Sequence, residues 1–350
     1  LAASTLAGDL SAVPHAGDRS LLSAVLSALL IAIRSAEQSA KPGKRAALTK
    51  AMVLATGLDI ETVKEAHRIA WTAKPDAGDL AGDVPDMVAQ LRAMAGRFST
   101  KLPRLLALVE ALLSGEHETS VNIEVEPNAK LQGGDGTGTM LWLHWRLEIH
   151  PSWRAPTLLL DGTAKPELVR LFFPQLHMTP EVHVEAPHQR VTWIRHSFSK
   201  SRLVQADEAK AAAAGRNIKS VRHWNKSRQN NIEDLRRFIE VKAAAFRDGA
   251  RRNSPDVLIM CNKTVEALLK AGDGLPGNVV VDHFNNVRGS NAYSDVRAII
   301  VIGRPLPPPD VIHRQGERLA GYPLAPGDAM VAAVRWSICE AELLQVIARP

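Results

Sequence analysis

The chain has 350 residues, 45% hydrophobic and 23% charged, with a formal net charge of +6 and two cysteines. This length accommodates two domains with cores of ordinary size, and the apolar fraction is that of a soluble globular protein. Cys261 and Cys339 lie in apolar surroundings outside any CxxC pair, so they read as reduced, buried thiols of a cytoplasmic protein rather than a disulfide framework. The longest apolar run, residues 21–33, is broken by serines. It falls short of the ~20 residues of a membrane span and lacks the flanks of a signal peptide.

The first 118 residues read as a mainly helical subdomain. Residues 21–36 are apolar nearly all round, as in a helix buried in a bundle. Residues 49–58 form a short helix ending near a glycine. Asp59 then caps a further helix in which Val63, Ala66, Ile69 and Ala70 fall at helical spacing. Residues 74–86 are a polar loop rich in Gly and Pro, after which 87–98 and 102–113 resume the helical period, with Pro103 tolerated in a first turn.

The period then changes to two. Val121, Ile123 and Val125 alternate with polar residues, as do Leu141, Leu143, Trp145, Leu147 and Ile149. With the glycine-rich "LQGGDGTGT" between them, residues 119–150 read as a β-hairpin linker region. From residue 151 to 350 strands alternate with helices. Strands are expected at 157–163, 181–186, 191–198, 256–262, 278–284 and 297–303. Helices are expected at 165–173, from an Asn231 cap through Phe246, at 264–271 and at 328–349. This order predicts an α/β domain with a parallel sheet flanked by helices.

The charge is concentrated. Residues 195–252 hold fifteen Lys/Arg against six Asp/Glu, a local excess of +9 that is larger than that of the whole chain. Trp193, Phe198 and Trp224 are interleaved with it. A basic stretch with exposed aromatics suits a phosphate backbone with stacked bases, so Trp193, Arg195, Lys200, Arg222, Trp224, Lys226 and Arg228 are candidate nucleic-acid contacts. Other chemistries are poorly supported. Gly133 to Gly138 gives GxxxxG, but Thr139-Met140 follows where a phosphate-binding loop needs Lys and Ser/Thr. No HExxH, Cys/His metal spacing or GxSxG elbow occurs.

"HFNNVRGSNAYSDVRAIIVIGRPLPPP" (283–309) sets Arg288, Gly289, Ser290 and Asn291 in a loop after one strand and Arg304 in an Arg-Pro exit after the next. Loops at the carboxyl ends of parallel strands line ligand crevices, small residues admit a phosphate to backbone N–H groups, and Pro305 forces an extended Arg304. Gln345 and Arg349 share one face of the last helix.

The order of these segments resembles the second RecA-like lobe of superfamily-2 DNA helicases, in the form found in prophage and plasmid helicase-like proteins. The resemblance covers residues 157–350. "LLLDGTAKPELVRLFFP" resembles motif III, with Asp161-Gly162-Thr163-Ala164 where the family shows Asp-Ala-Thr-Ala. "DVLIMCNKTVEALL" resembles the strand near motif IV, the segment from His283 resembles motif V, and "EAELLQVIARP" resembles motif VI, Gln-x-x-Gly-Arg-x-x-Arg. Ala348 replaces the family glycine, and the motif's second arginine falls beyond Pro350.

The resemblance implies an ATP-dependent helicase or translocase. Asp161 and Thr163 would couple the nucleotide cleft to the strand. Arg288, Gly289, Ser290, Asn291 and Arg304 would stand at the junction of nucleotide and nucleic acid, and Gln345 and Arg349 would face the γ-phosphate. ATP and Mg2+ would be held only with an upstream ATP-binding lobe, since neither Walker motif is in this sequence, and the chain alone is expected to be inactive. Its first residue is Leu1, which fits a fragment of a longer chain. Single-stranded or duplex DNA and that upstream lobe are the expected partners, with no membrane. The alternative is a non-enzymatic single-stranded nucleic-acid-binding or accessory replication protein.

Overall fold

The structure, a computed structural model, describes residues 16–41, 44–72, 101–130, 136–149, 158–159, 163–179, 189–195, 198–247, 255–271, 274–286 and 292–348. The chain divides into two compact units, Leu1–Trp153 with His313–Val331, and Arg154–Ile312 with Ala332–Pro350.

The first unit contains α1 (Ala16–Ser39), β1 (Ala46–Thr49), α2 (Lys50–Leu54), α3 (Ile60–Thr72), α4 (Lys101–Ser114), β2 (Thr119–Lys130) and β3 (Thr137–Leu143). Local chemistry sets these boundaries. Thr49 Oγ1 accepts the Met52 N–H to start α2, Gly57 takes the left-handed φ of +82° after it, and Asp59 Oδ1 accepts the Thr62 N–H at 2.7 Å to start α3. Val63, Ala66, Ile69 and Ala70 are the buried face of α3, as their spacing predicts. They pack with Leu22, Leu29, Leu105 and Leu106 onto Ile123, Val125 and Leu141 of an antiparallel sheet ordered β1-β2-β3.

Three expectations change here. The hairpin is not a linker region, because its inward face belongs to the same core as the helices. The second strand stops at Leu143 instead of Ile149, and Leu147 is exposed. Beyond Leu143 the His144 N–H still reaches the Asn122 carbonyl at 2.9 Å, while Ser120 Oγ accepts the N–H groups of both Asn122 and Ile123. Finally, α1 is longer than the unbroken apolar run. By length and composition alone it could cross a membrane, while its Leu22, Val25, Leu29 and Ala32 are buried in this unit's core. The expected helix at 87–98 and most of the glycine loop lie outside the described residues.

The second unit opens with α5 (Pro166–Val169), α6 (Lys200–Leu203), α7 (Glu208–Ala213) and α8 (Ile218–Phe246). There follow β4 (Val257–Cys261), α9 (Lys263–Lys270), β5 (Val279–His283) and β6 (Ala298–Val301). The strands form a parallel sheet ordered β5-β4-β6. Every residue of β4 is buried, which is why it reads as a continuous apolar run. Ile259 and Cys261 pack with Ile232, Leu235 and Ile239 of α8 and Val265 and Leu269 of α9. Leu258 and Met260 pack the other way, with Phe284, Val296 and Val346. Two helices complete the chain, α10 (Pro309–Ala320), which was not expected, and α11 (Ala329–Ile347). The fold class is mixed α/β, with a three-stranded parallel sheet among helices.

Helix α8 starts at Ile218, not after Asn231. Asn217 is its cap, its Oδ1 accepting the N–H groups of Lys219 and Ser220, and Asn231 instead donates to the Arg202 carbonyl. The first half of α8 is polar and largely exposed, so it lacks the apolar stripe that announces a helix. The helix expected at 165–173 is one turn long. Leu158, Leu159 and residues 191–195 are exposed and outside any strand, because alternation supplies two faces but no pairing partner. The segment 181–186 lies outside the described residues.

Candidate functional site

The carboxyl end of β5 is built around Asp282. Its Oδ1 accepts the His283 N–H at 2.7 Å and Asn286 Nδ2 at 2.9 Å, and its Oδ2 accepts the Tyr293 hydroxyl at 2.7 Å. Burial alone would raise this carboxyl's pKa, but those hydrogen bonds from Tyr293, Asn286 and His283 bring it below the usual value. Asn286 and Tyr293 flank residues 287–291, so one carboxylate ties both ends of that loop. Arg288, Gly289, Ser290 and Asn291 lie outside the described residues. The turn itself carries Asn285 at a φ of 71°, a left-handed conformation that asparagine tolerates.

Helix α11 closes on this turn. Glu342 is fully buried and its Oε1 accepts the Asn285 N–H at 2.6 Å. One turn further on, Gln345 Nε2 donates to Thr163 Oγ1 at 3.0 Å. From the preceding turns, Trp336 Nε1 donates to the Thr163 carbonyl at 3.2 Å, and the Lys165 ammonium lies 4.2 Å from the Trp336 ring centroid. A single helix thus touches both the segment at Thr163 and the turn after β5. Asp161 and Arg349 lie outside the described residues. Arg304 is exposed after Gly303, whose φ is +76°. Burial and the Glu340 charge raise the Cys339 thiol of α11, and the Arg335 and Arg304 charges oppose them.

Glu266, Asp282 and His283 present ligand atoms within 4.8 Å of one another, but their chemistry is that of a closed ionic network. Glu266 Oε1 holds the Lys270 ammonium at 2.5 Å. His283 Nδ1 stands 2.7 Å from Glu266 Oε2, within ion-pair range but out of line for a hydrogen bond. Both Asp282 oxygens already accept hydrogen bonds. A cation would have to displace Lys270 and those donors. The adjacent Cys261 thiol is pushed up to about 12, by burial first and then by the Glu266 and Asp282 charges, which leaves it a poor nucleophile.

The basic stretch is a second candidate surface. Trp193 is 84% exposed, and Arg195 and Lys200 are exposed near it in sequence. On α8, Arg222 Nε donates to Glu208 at 2.9 Å, so its charge is offset. Lys226 is exposed with no partner among the described residues. Trp224 is 54% exposed. Arg228 is anchored, donating from Nε to the Ser201 carbonyl at 2.8 Å and from Nη1 to Asn225 Oδ1 at 2.9 Å. Residues 216–228 contain five Lys/Arg and no acid.

Sequence reasoning missed Asp282, Tyr293, Glu342 and Asn225. One signal was available for Glu342, an acid within the apolar stretch "ICEAELL" and three residues before Gln345. No family model, curated protein or solved structure matches this chain.

Proposed function

We propose that the second unit is the RecA-like C-terminal lobe of an ATP-dependent DNA helicase or translocase, which works with an ATP-binding lobe supplied upstream. The observation that carries this reading is the reach of α11. Glu342 and Gln345, in the segment resembling motif VI, contact Asn285 at the edge of the segment resembling motif V and Thr163 in the segment resembling motif III. A lobe that reports ATP state to a bound strand needs those segments mechanically joined, since coupling requires an element that both ligands bias. In this reading Gln345 and Arg349 face the γ-phosphate, and Asp161 and Thr163 pass the change on. Arg288, Gly289, Ser290, Asn291 and Arg304 lie at the nucleotide–strand junction. The basic surface with Trp193, Arg195, Lys200, Arg222, Trp224, Lys226 and Arg228 holds the strand.

The sequence has no Walker A lysine, so ATP and Mg2+ are bound only with the upstream lobe, and the purified chain alone is expected to show no ATP turnover. The expected DNA affinity is salt-dependent, with a slope of about −0.7 per phosphate neutralised on a single strand. Reading the gene upstream of the Leu1 codon separates the enzyme from the alternative. A Gly-Lys-Thr loop followed by an Asp-Glu pair is expected. A reading frame without them, together with DNA binding, makes the chain a non-enzymatic strand-binding protein. The stretch from Arg216 to Arg228, with five Lys/Arg and no acid, favours that second reading equally. No DNA binding at ~50 mM salt, where phosphate contacts are strongest, overturns both.

A further inference from the structure

A cavity of about 260 Å3 opens where α7 turns into α8, lined by Ala206, Arg216, Asn217, Ser220, Trp224 and Arg228 among others. It is smaller than the ~300–1,000 Å3 pockets that enclose a drug-sized ligand, so it suits one planar group held against a wall. Its wall is fixed in advance by Asn225, which is buried beneath it. Asn225 Nδ2 donates to the Ala206 carbonyl at 2.9 Å, and Asn225 Oδ1 accepts the Ala206 N–H at 2.8 Å and Arg228 Nη1 at 2.9 Å. With Nε held by the Ser201 carbonyl, Arg228 keeps a fixed guanidinium with the remaining donors of its fork unassigned. Arg216 is exposed, with no side-chain partner among the described residues. No carboxylate lines the cavity. Arg222, on the same helix, is turned to Glu208 instead.

An exposed indole beside two guanidinium groups and no acid fits an aromatic anion. We propose that this cavity is a nucleotide subsite. One base of a single strand stacks on Trp224, and its phosphate is held by Arg216 and Arg228. This rests on the strand-binding reading above and adds a defined place on the basic surface where base and phosphate are read together.

The test uses the full chain and fluorescence anisotropy with two labelled strands, an oligothymidylate and an abasic oligomer of the same length. Stacking on one aromatic side chain predicts that Trp224→Ala weakens oligothymidylate binding about tenfold or more, with the abasic strand little affected. Trp224→Phe should recover most of the loss. Arg216→Glu should weaken both strands. Thymidine monophosphate should quench tryptophan fluorescence in the parent and not in Trp224→Ala. If the parent binds oligothymidylate but Trp224→Ala and Arg216→Glu bind within twofold of it, the subsite is wrong and the strand-binding reading stands. Equal losses on both strands from Trp224→Ala, with no recovery in Trp224→Phe, also overturn the stacking role. If the parent binds neither strand, both proposals fail.

Discussion

The first unit and the basic run of the second use their charges in opposite ways. In the first, ionic groups are turned on one another. Glu124 on β2 gathers Arg45, His144 and Arg318, at 3.5, 3.4 and 2.5 Å. Glu126 takes Arg45 and the Trp142 indole N–H, and Arg45 stacks 3.9 Å from the Trp142 ring centroid. His67 bridges Glu110 and Trp71 through its two ring nitrogens. In the second unit the run from Arg216 to Arg228 has no acid of its own, and Arg216 and Lys226 have no side-chain partners among the described residues. A balanced cluster stabilises its own fold, and an unbalanced one is available to a polyanion. The comparison predicts that charge removal in the first unit's clusters is felt as stability, and in the basic run of the second as affinity.

The largest effect is expected at Glu124. Burial raises its pKa, but hydrogen bonds and charges from His144 and Arg318 bring it down to about 2, against an ordinary 4.5. A carboxyl whose folded value is depressed contributes stability above its ordinary value, and that contribution is lost as pH falls. The loss here should fall between about pH 4.5 and pH 2. Glu124→Ala should cost about 2–4 kcal/mol in urea unfolding at neutral pH, toward the low end for a broken buried pair because both arginines keep some solvent contact. Glu124→Gln should flatten the acid limb of the stability profile. Parallel acid limbs for parent and Glu124→Gln would show that the cluster is not the unit's acid-sensitive element.

A middle-sized effect is expected at Glu342, the fully buried carboxyl group of α11. Truncation to alanine leaves the N–H of the exposed Asn285 to water, a loss of about 0.5–1.5 kcal/mol for the net hydrogen bond, and amide exchange at Asn285 should quicken. Glu342→Gln keeps an acceptor in the same place and should cost less. If the alanine and glutamine variants unfold at the same urea concentration with the same exchange rate, the bond from α11 to the turn contributes nothing.

What the sequence disclosed follows the same division. The fully buried strand β4 and the stripe Val63, Ala66, Ile69 and Ala70 were legible because burial writes a period into the residues. The first half of α8 was not, because an exposed cationic helix has no apolar period. The cap was misassigned to Asn231 rather than Asn217, since both are asparagines and only the position of nearby N–H groups tells them apart. The end of β3 was hidden for another reason. Alternation in the sequence runs on to Ile149, and only the pairing with β2, which reaches as far as the bond from the His144 N–H to the Asn122 carbonyl, marks where the strand stops. At the candidate site, Thr163 and Gln345 were singled out and do meet. The groups that hold the loop, Asp282 and Tyr293, were passed over because their partners lie across it.

The smallest effect separates two cations one turn apart on the same helix. Arg222 already faces Glu208 at 2.9 Å, whereas Lys226 has no partner among the described residues. Binding to single-stranded DNA releases condensed counterions, and each protein cation engaged on a phosphate contributes about 0.7 to the slope of log K against log salt. Lys226→Ala should therefore reduce the slope by about that amount. Arg222→Ala should reduce it less, because a DNA phosphate has to compete with the Glu208 carboxylate for Arg222. Glu208→Ala sharpens the contrast by releasing Arg222, and should steepen the slope. Equal slopes for the Arg222 and Lys226 variants would mean that the Glu208 pair does not persist in solution, as is common for exposed ion pairs. The whole run would then act as a single uniform strip of charge.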